Sequence, residues 1–307
     1  MLSFLGEAYS FCFGFVNALL IRLEYPAAIC AALLVFELLR PRSRNSARSY
    51  LDGAIFMGAA IAINTGVLTA LQLITGVQQI TPGMTGNERF GGLIPLDLTP
   101  FTTSESFPVR LLGWLGATIG IAFIADFFYY WMHRAQHTFG WMWRFHKVHH
   151  SITQMSATAS YHHVAEDLFQ YVAVTLPLTF LFGVAAGPVP WLLIVMVGWH
   201  AYFLHTSANY NIGALRYVLA DNRLHRIHHS REERHINRNF ATQTPVWDML
   251  FGTAYFPRKD EWPAVGLSDT AEPRTVRDYL FMPFRSERAG VDNLVARPAS
   301  GGLSDAT

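Results

Sequence analysis

ADFFYYWMHRAQHTFGWMWRFHKVHH, residues 125–150, is the stretch that decides how this chain folds. It begins at the end of a long apolar block and passes directly into histidine-rich sequence. The chain holds three clusters of histidines spaced three or four residues apart: His133 and His137; His146, His149 and His150; and His225, His228 and His229. Because a helix has 3.6 residues per turn, side chains at these spacings point the same way. Each cluster therefore presents two or three imidazoles from one helix face.

Imidazole is a common ligand of iron, zinc, copper and nickel. A single histidine pair four residues apart often arises by chance. Here there are three clusters, and two of them have the same H-x-x-H-H form. Eight imidazoles are too many for one ion and about right for two, so the sequence predicts a site for two metal ions.

The composition is that of a membrane protein. Of 307 residues, 51% are hydrophobic and only 15% are charged, against about 25% charged in soluble domains. The net charge of +1 gives no field that would favour nucleic acid as a partner. Cys12 and Cys30 both lie in apolar sequence, which argues against a cysteine-based metal site. The first ten residues hold no basic stretch, so a cleaved signal peptide is not expected.

Four apolar blocks are expected to enter the membrane: residues 2–39, 53–76, 111–131 and 168–204. The first is interrupted near Pro26 and could be one tilted span or a hairpin of two segments. The last is broken at Gly187–Pro190 and is expected to form a hairpin, since each half is short for a span of about 20 residues. The basic run at 40–48 places that loop on the cytoplasmic side. Counting crossings then brings all three histidine clusters to the same side.

Further residues are candidates by position. Asp126 lies seven residues before His133 and Tyr130 three before it, so all three share a helix face. We expect Asp126 to accept the second ring N–H of a ligating imidazole, in preference to a role at the membrane boundary alone. His163 and His205 flank the fourth apolar block and are added as candidate ligands, whereas His162, His200 and His235 are interpreted as structural or solvated.

The segments HRAQH, FHKVHHS, LHRIHHS and NFATQTPVWDMLFGTAYFP, in this order, resemble the fatty acid hydroxylase superfamily, also called the sterol desaturase family. The resemblance covers about residues 125–256. Carried over by position, it implies the eight clustered histidines as ligands, with a further histidine at His205. The family's R-x-H-P-x-E element is altered beside His163, where Tyr161 and Val164 replace the arginine and proline, which weakens His163 as a ligand. The usual Asn-Tyr-Gly becomes Asn239-Phe240-Ala241, which puts a tight turn in doubt.

The resemblance implies a membrane-bound non-haem di-iron oxygenase. It would use two Fe ions, or Zn in a purified sample, with O2 as co-substrate, to hydroxylate a C–H bond of a sterol, fatty acyl lipid or carotenoid. Electrons would come from a separate ferredoxin or cytochrome b5-type protein. The arginine-rich residues 216–238 could dock such a carrier, but contact with anionic lipid headgroups is favoured. The expected location is a membrane, in a bacterium the inner one, with the site on the cytoplasmic side.

Two alternatives stay open from the residues alone. A desaturase on the same scaffold begins with the same hydrogen abstraction. A metal transporter is less favoured, because most candidate ligands follow the apolar blocks rather than lie along them. The expected fold is all-α, with about four membrane segments and a cytoplasmic helical cap around the di-metal site. We expect an N-terminal membrane portion (1–110), a catalytic core (111–256) and an accessory tail (257–307) whose end is disordered.

Overall fold

The computed structural model describes residues 2–75, 93, 103–182 and 189–285, and every regular element in those ranges is helical. Only two isolated bridges, Pro41 with Ala208 and Ser230 with Val265, join extended segments there. The helices are α1 (Leu2–Leu39), α2 (Ala47–Thr75), α3 (Phe107–Thr138), α4 (Gly140–His150), α5 (Glu166–Gln170), α6 (Leu176–Phe182), α7 (Val189–Leu204), α8 (Asn222–His228), α9 (Val246–Leu250) and α10 (Val276–Phe281). The all-α prediction is confirmed for the described residues.

Three of these helices are long and apolar enough to cross a membrane: Gly14–Leu39, Ala47–Ala70 and Phe107–Thr138. The first apolar block is one continuous helix with Pro26 inside it, so the hairpin alternative is wrong. The fourth block is divided into α5, a π-helical turn at Tyr171–Thr175, α6 and α7. Its predicted break at Gly187 and Pro188 lies outside the described residues. A fourth membrane segment therefore stays a prediction.

The connection between α4 and α5 is held against the membrane helices by close packing. On α2, a Cβ placed at Gly53 would lie 2.6 Å from the backbone oxygen of Thr158, so only glycine allows this approach. Beside it, Phe56 of α2 stacks on Tyr279 of α10 and meets Tyr161 edge-on. This buried apolar cluster fixes the segment that leads from the second histidine cluster to Glu166.

Helices α3, α4, α7 and α8 meet where α3 and α7 end. α3 packs against α4 and α7, and α7 packs against α8. Phe139, in an extended conformation, separates α3 from α4 and turns the chain between the first two histidine clusters. Asp221 begins α8 by accepting hydrogen bonds from the backbone N–H groups of Arg223 and Leu224. The sequence after each apolar segment is thereby drawn into one shared site.

Candidate metal centre

Nine histidines form two buried groups. In each group, one possible ligand atom from every member lies within 4.8 Å of all the others. The first group is His133, His137, His146, His150 and His228; the second is His149, His205, His225 and His229. The imidazoles of His150 and His229, one from each group, stack with centroids 4.4 Å apart. The two groups therefore lie side by side, as a centre for two ions requires.

The two copies of the H-x-x-H-H motif divide their histidines between the two groups in opposite ways. On α4, His146 and His150 face the first group and the histidine between them, His149, faces the second. On α8 the pattern is reversed: His228 faces the first group, while His225 and His229 face the second. The outer members are four residues apart and share a face, and the third member is rotated away from them. Each motif thus contributes histidines to both groups.

Hydrogen bonds fix the tautomer of several of these rings. A backbone carbonyl only accepts, so an imidazole nitrogen bound to one must carry the proton. Four Nδ1 atoms make such bonds: His133 to Phe240 at 2.6 Å, His149 to Tyr161 at 2.9 Å, His205 to Ala201 at 2.9 Å and His228 to Arg238 at 2.8 Å. In the neutral ring, Nε2 is then left with a free lone pair. This is the arrangement by which proteins orient metal-binding histidines.

The Nε2 atoms lie close together, although two unprotonated Nε2 atoms cannot form a hydrogen bond with each other. His149 Nε2 and His205 Nε2 are 3.1 Å apart, although both rings carry their proton on Nδ1. In the first group, His133 Nε2 and His146 Nε2 are 2.9 Å apart, and the buried Nε2 atoms of His137 and His228 have no hydrogen-bond partner among the described residues. Imidazole nitrogens about 2.1 Å from one ion lie roughly 3 Å apart when they bind at right angles. The donor set therefore fits one metal ion per group.

Burial also sets the charge of these ligands. It lowers the pKa of His205 to about 3 and that of His228 to about 4, from an ordinary value near 6.5. The pKa values of His149 and His229 are held well below the usual range, mainly by burial and in smaller part by repulsion from neighbouring histidines. The rings are neutral at physiological pH, which is the form that binds a metal ion.

Glu166 is the carboxylate that orients a ligand in this site. Its Oε2 accepts from His146 Nδ1 at 2.8 Å and from Gln136 Nε2 at 2.8 Å, and its Oε1 accepts from the backbone N–H of His163 at 3.2 Å. Burial raises the pKa of Glu166 to about 8, while the N–H donors of His163 and Gln136 lower it. A cation held by His146 would stabilise the ionised form. Glu166 is the last residue of the altered R-x-H-P-x-E element, and the sequence alone assigned it no role.

Asp126 acts on the site from a distance, contrary to the expectation that it binds an imidazole. Oδ1 accepts from the backbone N–H groups of Thr242 and Gln243 and from the Thr242 hydroxyl, and Oδ2 accepts from the backbone N–H of Thr244. The imidazole bond that we assigned to it is made by the Phe240 carbonyl. Asp126 therefore holds the loop that carries this carbonyl.

Tyr130 is fully buried on the same face of α3 but turns away from the histidines. Its hydroxyl lies 3.1 Å from Thr253 Oγ1 and accepts a hydrogen bond from Arg134. Thr253 in turn donates to Asp248, which also accepts from the backbone N–H groups of Phe240 and Ala241. Tyr130, a candidate for supporting a ligand because it shares the helix face of His133, therefore bonds Thr253 and Arg134 instead.

The turn that the altered Asn239-Phe240-Ala241 put in doubt is made by asparagines. Asn237 and Asn239 take left-handed φ values of 59° and 56°, whereas Ala241 does not. Asn239 is buried and bonds the backbone of Leu224 and Tyr255 through its side chain. Asparagine tolerates this conformation better than most residues. The substitution of the family's glycine by Ala241 is therefore accommodated.

His163 does not enter either group. Its Nε2 lies 3.2 Å from the Leu280 carbonyl and its Nδ1 accepts from the backbone N–H of Ala165. His162, interpreted from sequence as structural, stacks on His149 with centroids 3.7 Å apart and lies close to His146 and Glu166. The sequence gives no local signal that separates these two neighbours.

Other aromatic and histidine residues surround the groups. Trp143 lies 5.1 Å from the ring of His137 and 5.3 Å from that of His150. Trp131 and Trp141, by contrast, are exposed. His235, which we expected to be solvated, is completely buried between Ser230 and Glu261.

Comparison with known proteins bears on the segment that contains this site. The family model "Fatty acid hydroxylase" matches residues 118–253. Human alkylglycerol monooxygenase is 28% identical over 172 residues, which cover 55% of this chain and 37% of that protein. The ornithine lipid hydroxylase OlsE of Rhizobium tropici is 29% identical over 47% of this chain and 44% of its own. The fatty acid hydroxylase vlmA of a Lecanicillium species is 30% identical over 46% and 42%.

The chain spans less than half the length of each of these relatives. No solved structure matches it significantly. The matched segment nevertheless contains both H-x-x-H-H motifs, the pair His133 and His137, and the loop that orients them. Through residues 118–253, the chain is similar to the fatty acid hydroxylase superfamily.

Proposed function

We propose that this protein is a membrane-bound non-haem di-iron oxygenase that hydroxylates a C–H bond of a lipid-type substrate. One atom of O2 enters the substrate as a hydroxyl group, and the other leaves as water with two electrons and two protons from outside. The observation that carries the proposal is the pair of buried histidine groups, whose Nε2 lone pairs converge beside each other. A third helix long enough to span a membrane, α3, leads directly into them.

The protein's own contribution would be to hold, orient and shield the ions. When bound, two ferrous ions would supply the activation of O2 and the cleavage of the C–H bond. His133, His137, His146, His150 and His228 would hold one ion, and His149, His205, His225 and His229 the other. Carbonyls and Glu166 keep the ring protons on Nδ1 and the lone pairs on the inner side. Burial keeps the rings neutral and water out.

A lipid-type substrate is supported by two independent considerations. The histidine groups lie at the ends of apolar helices, so a molecule arriving from the bilayer reaches them more directly than a polar metabolite does. The names of three relatives describe enzymes acting on alkylglycerols, ornithine lipids and fatty acids. We propose the same broad class here, with sterols and carotenoids included.

The remaining parts of the proposal concern electrons and sidedness. The sequence contains no haem-attachment or flavin-binding motif, so we propose a separate ferredoxin or cytochrome b5-type donor. From the basic run at 40–48 we also propose that the site lies on the cytoplasmic side of a bacterial inner membrane. The division into 1–110, 111–256 and 257–307 belongs to the same proposal.

A desaturase is the second candidate, because the first hydrogen abstraction is shared and nothing in the histidine groups separates the two outcomes. Metal transport is disfavoured because nine ligand candidates gather in one place. A transport path would instead distribute them across the membrane.

The test is a comparison of lipid extracts from a host expressing either the intact chain or the His228→Ala variant, grown under ¹⁸O2. Hydroxylation predicts a lipid that gains one ¹⁸O atom with the intact chain alone, and desaturation predicts one that loses two hydrogens. His163→Ala, which lies outside both groups, serves as the matched histidine control and should retain turnover. An active His228→Ala variant would refute the assignment of the site.

A further inference from the structure

A basic concavity of about 350 Å³ lies on the outer side of α8, away from the histidine groups. Its lining is Asn211, Gly213, Ala214, Arg216, Tyr217, Arg223 and Lys259. Three of these side chains are cationic, and none is a carboxylate. On a helix, Arg223 is rotated about 200° from His225, so the concavity and the metal centre use opposite faces of α8.

Two guanidinium groups in the lining have donors that the described residues leave unused. Arg223 is only 3% exposed, and its Nε is buried with no hydrogen-bond partner, while one Nη donates to the carbonyls of Arg258 and Lys259. The Nε and one Nη of Arg216 are also buried without a hydrogen-bond partner. A buried donor left unpaired destabilises the folded protein. An anion in the concavity would satisfy these donors.

Two carboxylates, those of Asp221 and Asp260, act on Arg223, against the neighbouring cations Arg42, Arg216 and Lys259. Asp221 Oδ2 forms an ion pair with Arg216 at 3.9 Å, and Asp221 Oδ1 caps the start of α8. Arg42 reaches the same loop through the Lys259 carbonyl, at 3.4 Å, and adds another positive charge. The lining therefore keeps an excess of positive charge. Guanidinium groups bind phosphate oxygens through two parallel N–H donors.

The chain itself places this concavity at the level of a membrane surface. The part of α1 that is long and apolar enough to cross a membrane, Gly14–Leu39, ends just before Arg40. The Arg40 carbonyl accepts a hydrogen bond from the backbone N–H of Asn209, two residues before the lining begins. The backbone N–H of Arg42 donates to the Ser207 carbonyl in the same short antiparallel bridge. The segment next to the concavity also exposes apolar side chains: Leu215, Tyr217, Val218 and Leu219. Exposed apolar residues beside cationic ones are typical of a surface that lies in lipid headgroups.

We propose that the basic concavity binds the phosphate group of an anionic membrane lipid, with Arg216, Arg223 and Lys259 on the phosphate and Leu215 and its neighbours against the acyl chains. The site is distinct from the metal centre. It is independent of the proposed reaction.

The test uses the full chain, purified in a non-ionic detergent and examined by native mass spectrometry. The added probes are phosphatidylglycerol, phosphatidylcholine and inorganic phosphate. We expect phosphatidylglycerol to bind in preference to the other two. Arg216→Gln and Lys259→Gln should each weaken it roughly ten-fold, as expected for a lost charge-assisted hydrogen bond. Arg48→Gln removes the same charge from an exposed position on α2 and should leave the affinity unchanged.

Leu215→Ser separates the two sources of phosphate. It should weaken phosphatidylglycerol and leave inorganic phosphate unaffected. If inorganic phosphate binds as tightly as the lipid and Leu215→Ser changes neither, the lipid assignment is overturned in favour of a free-phosphate site. If no probe binds, or if Lys259→Gln binds phosphatidylglycerol like the unmodified chain, the site itself is refuted. Lys259 is exposed on the surface, so its substitution is not expected to unfold the protein.

Discussion

Replacement of Glu166 by alanine should release the first metal ion and leave the second in place. Glu166 is buried and accepts three hydrogen bonds, of which the one from His146 Nδ1, at 2.8 Å, orients a ligand of the first group alone. Loss of such a partner lowers metal affinity about 10- to 100-fold. That range corresponds to about 1.4–2.7 kcal/mol of binding free energy. In the second group, His149 and His205 keep their hydrogen bonds to backbone carbonyls.

The assay is metal content by inductively coupled plasma mass spectrometry after exposure to increasing chelator. The unmodified chain should lose its two ions at similar concentrations. Glu166→Ala should lose one ion at a roughly 10- to 100-fold lower concentration. Its circular dichroism spectrum should stay helical.

Glu261→Ala provides the matched control for this experiment. The Glu261 side chain is only 8% exposed and lies 3.2 Å from a ring nitrogen of His235, but His235 belongs to neither histidine group. Its loss should lower stability without releasing an ion selectively. Retention of both ions by Glu166→Ala at the unmodified chelator concentration would refute the orienting role. Equal metal loss from both variants would show a general loss of structure.

Two further predictions use matched pairs of positions. Gly53→Ala places a Cβ 2.6 Å from the Thr158 carbonyl oxygen and should lower the free energy of unfolding by about 1–3 kcal/mol. Gly58→Ala, on the same helix with open space at its Cβ, should be neutral or slightly stabilising. Thermal denaturation of the two variants in detergent measures the difference. His205→Ala should release the second ion alone, since His205 Nε2 is 3.1 Å from His149 Nε2. His163→Ala, outside both groups, should keep both ions. Equal metal content in the two histidine variants would contradict the grouping.

The sequence was informative about the site because helical spacing and ligand chemistry are local properties. The i, i+3 and i+4 spacings identified all eight clustered histidines that the structure brings together, and position along the chain added His205. Periodicity cannot show which ring serves which ion, since that depends on how α4 and α8 face each other. It also cannot distinguish His162 from His163, because one peptide unit in a non-helical segment decides which ring points inward.

The error over Asp126 has a different physical origin. Helix geometry placed its carboxylate on the face of His133 correctly, but three backbone N–H groups from residues 242–244 occupy the carboxylate oxygens. Those residues are more than 100 positions away, so no local pattern reports their approach. Contacts between residues distant in sequence are also why Glu166 and the Phe240 carbonyl were not recognised as orienting groups: they accept from His146 Nδ1, 20 positions away, and from His133 Nδ1, 107 positions away.

These contacts make the loop 237–244 a structural part of the metal centre. Its carbonyls at Arg238 and Phe240 hold the Nδ1 protons of His228 and His133, so two ligands of one ion depend on the path of a single loop. That path is fixed at one end by the left-handed asparagines and at the other by Asp126. Phe240 and Ala241 of the loop also pack against Tyr130 in a buried apolar cluster, so its order rests on this packing together with the polar contacts and the orientation of the histidines it binds. Metal binding and ordering of this loop should therefore stabilise each other.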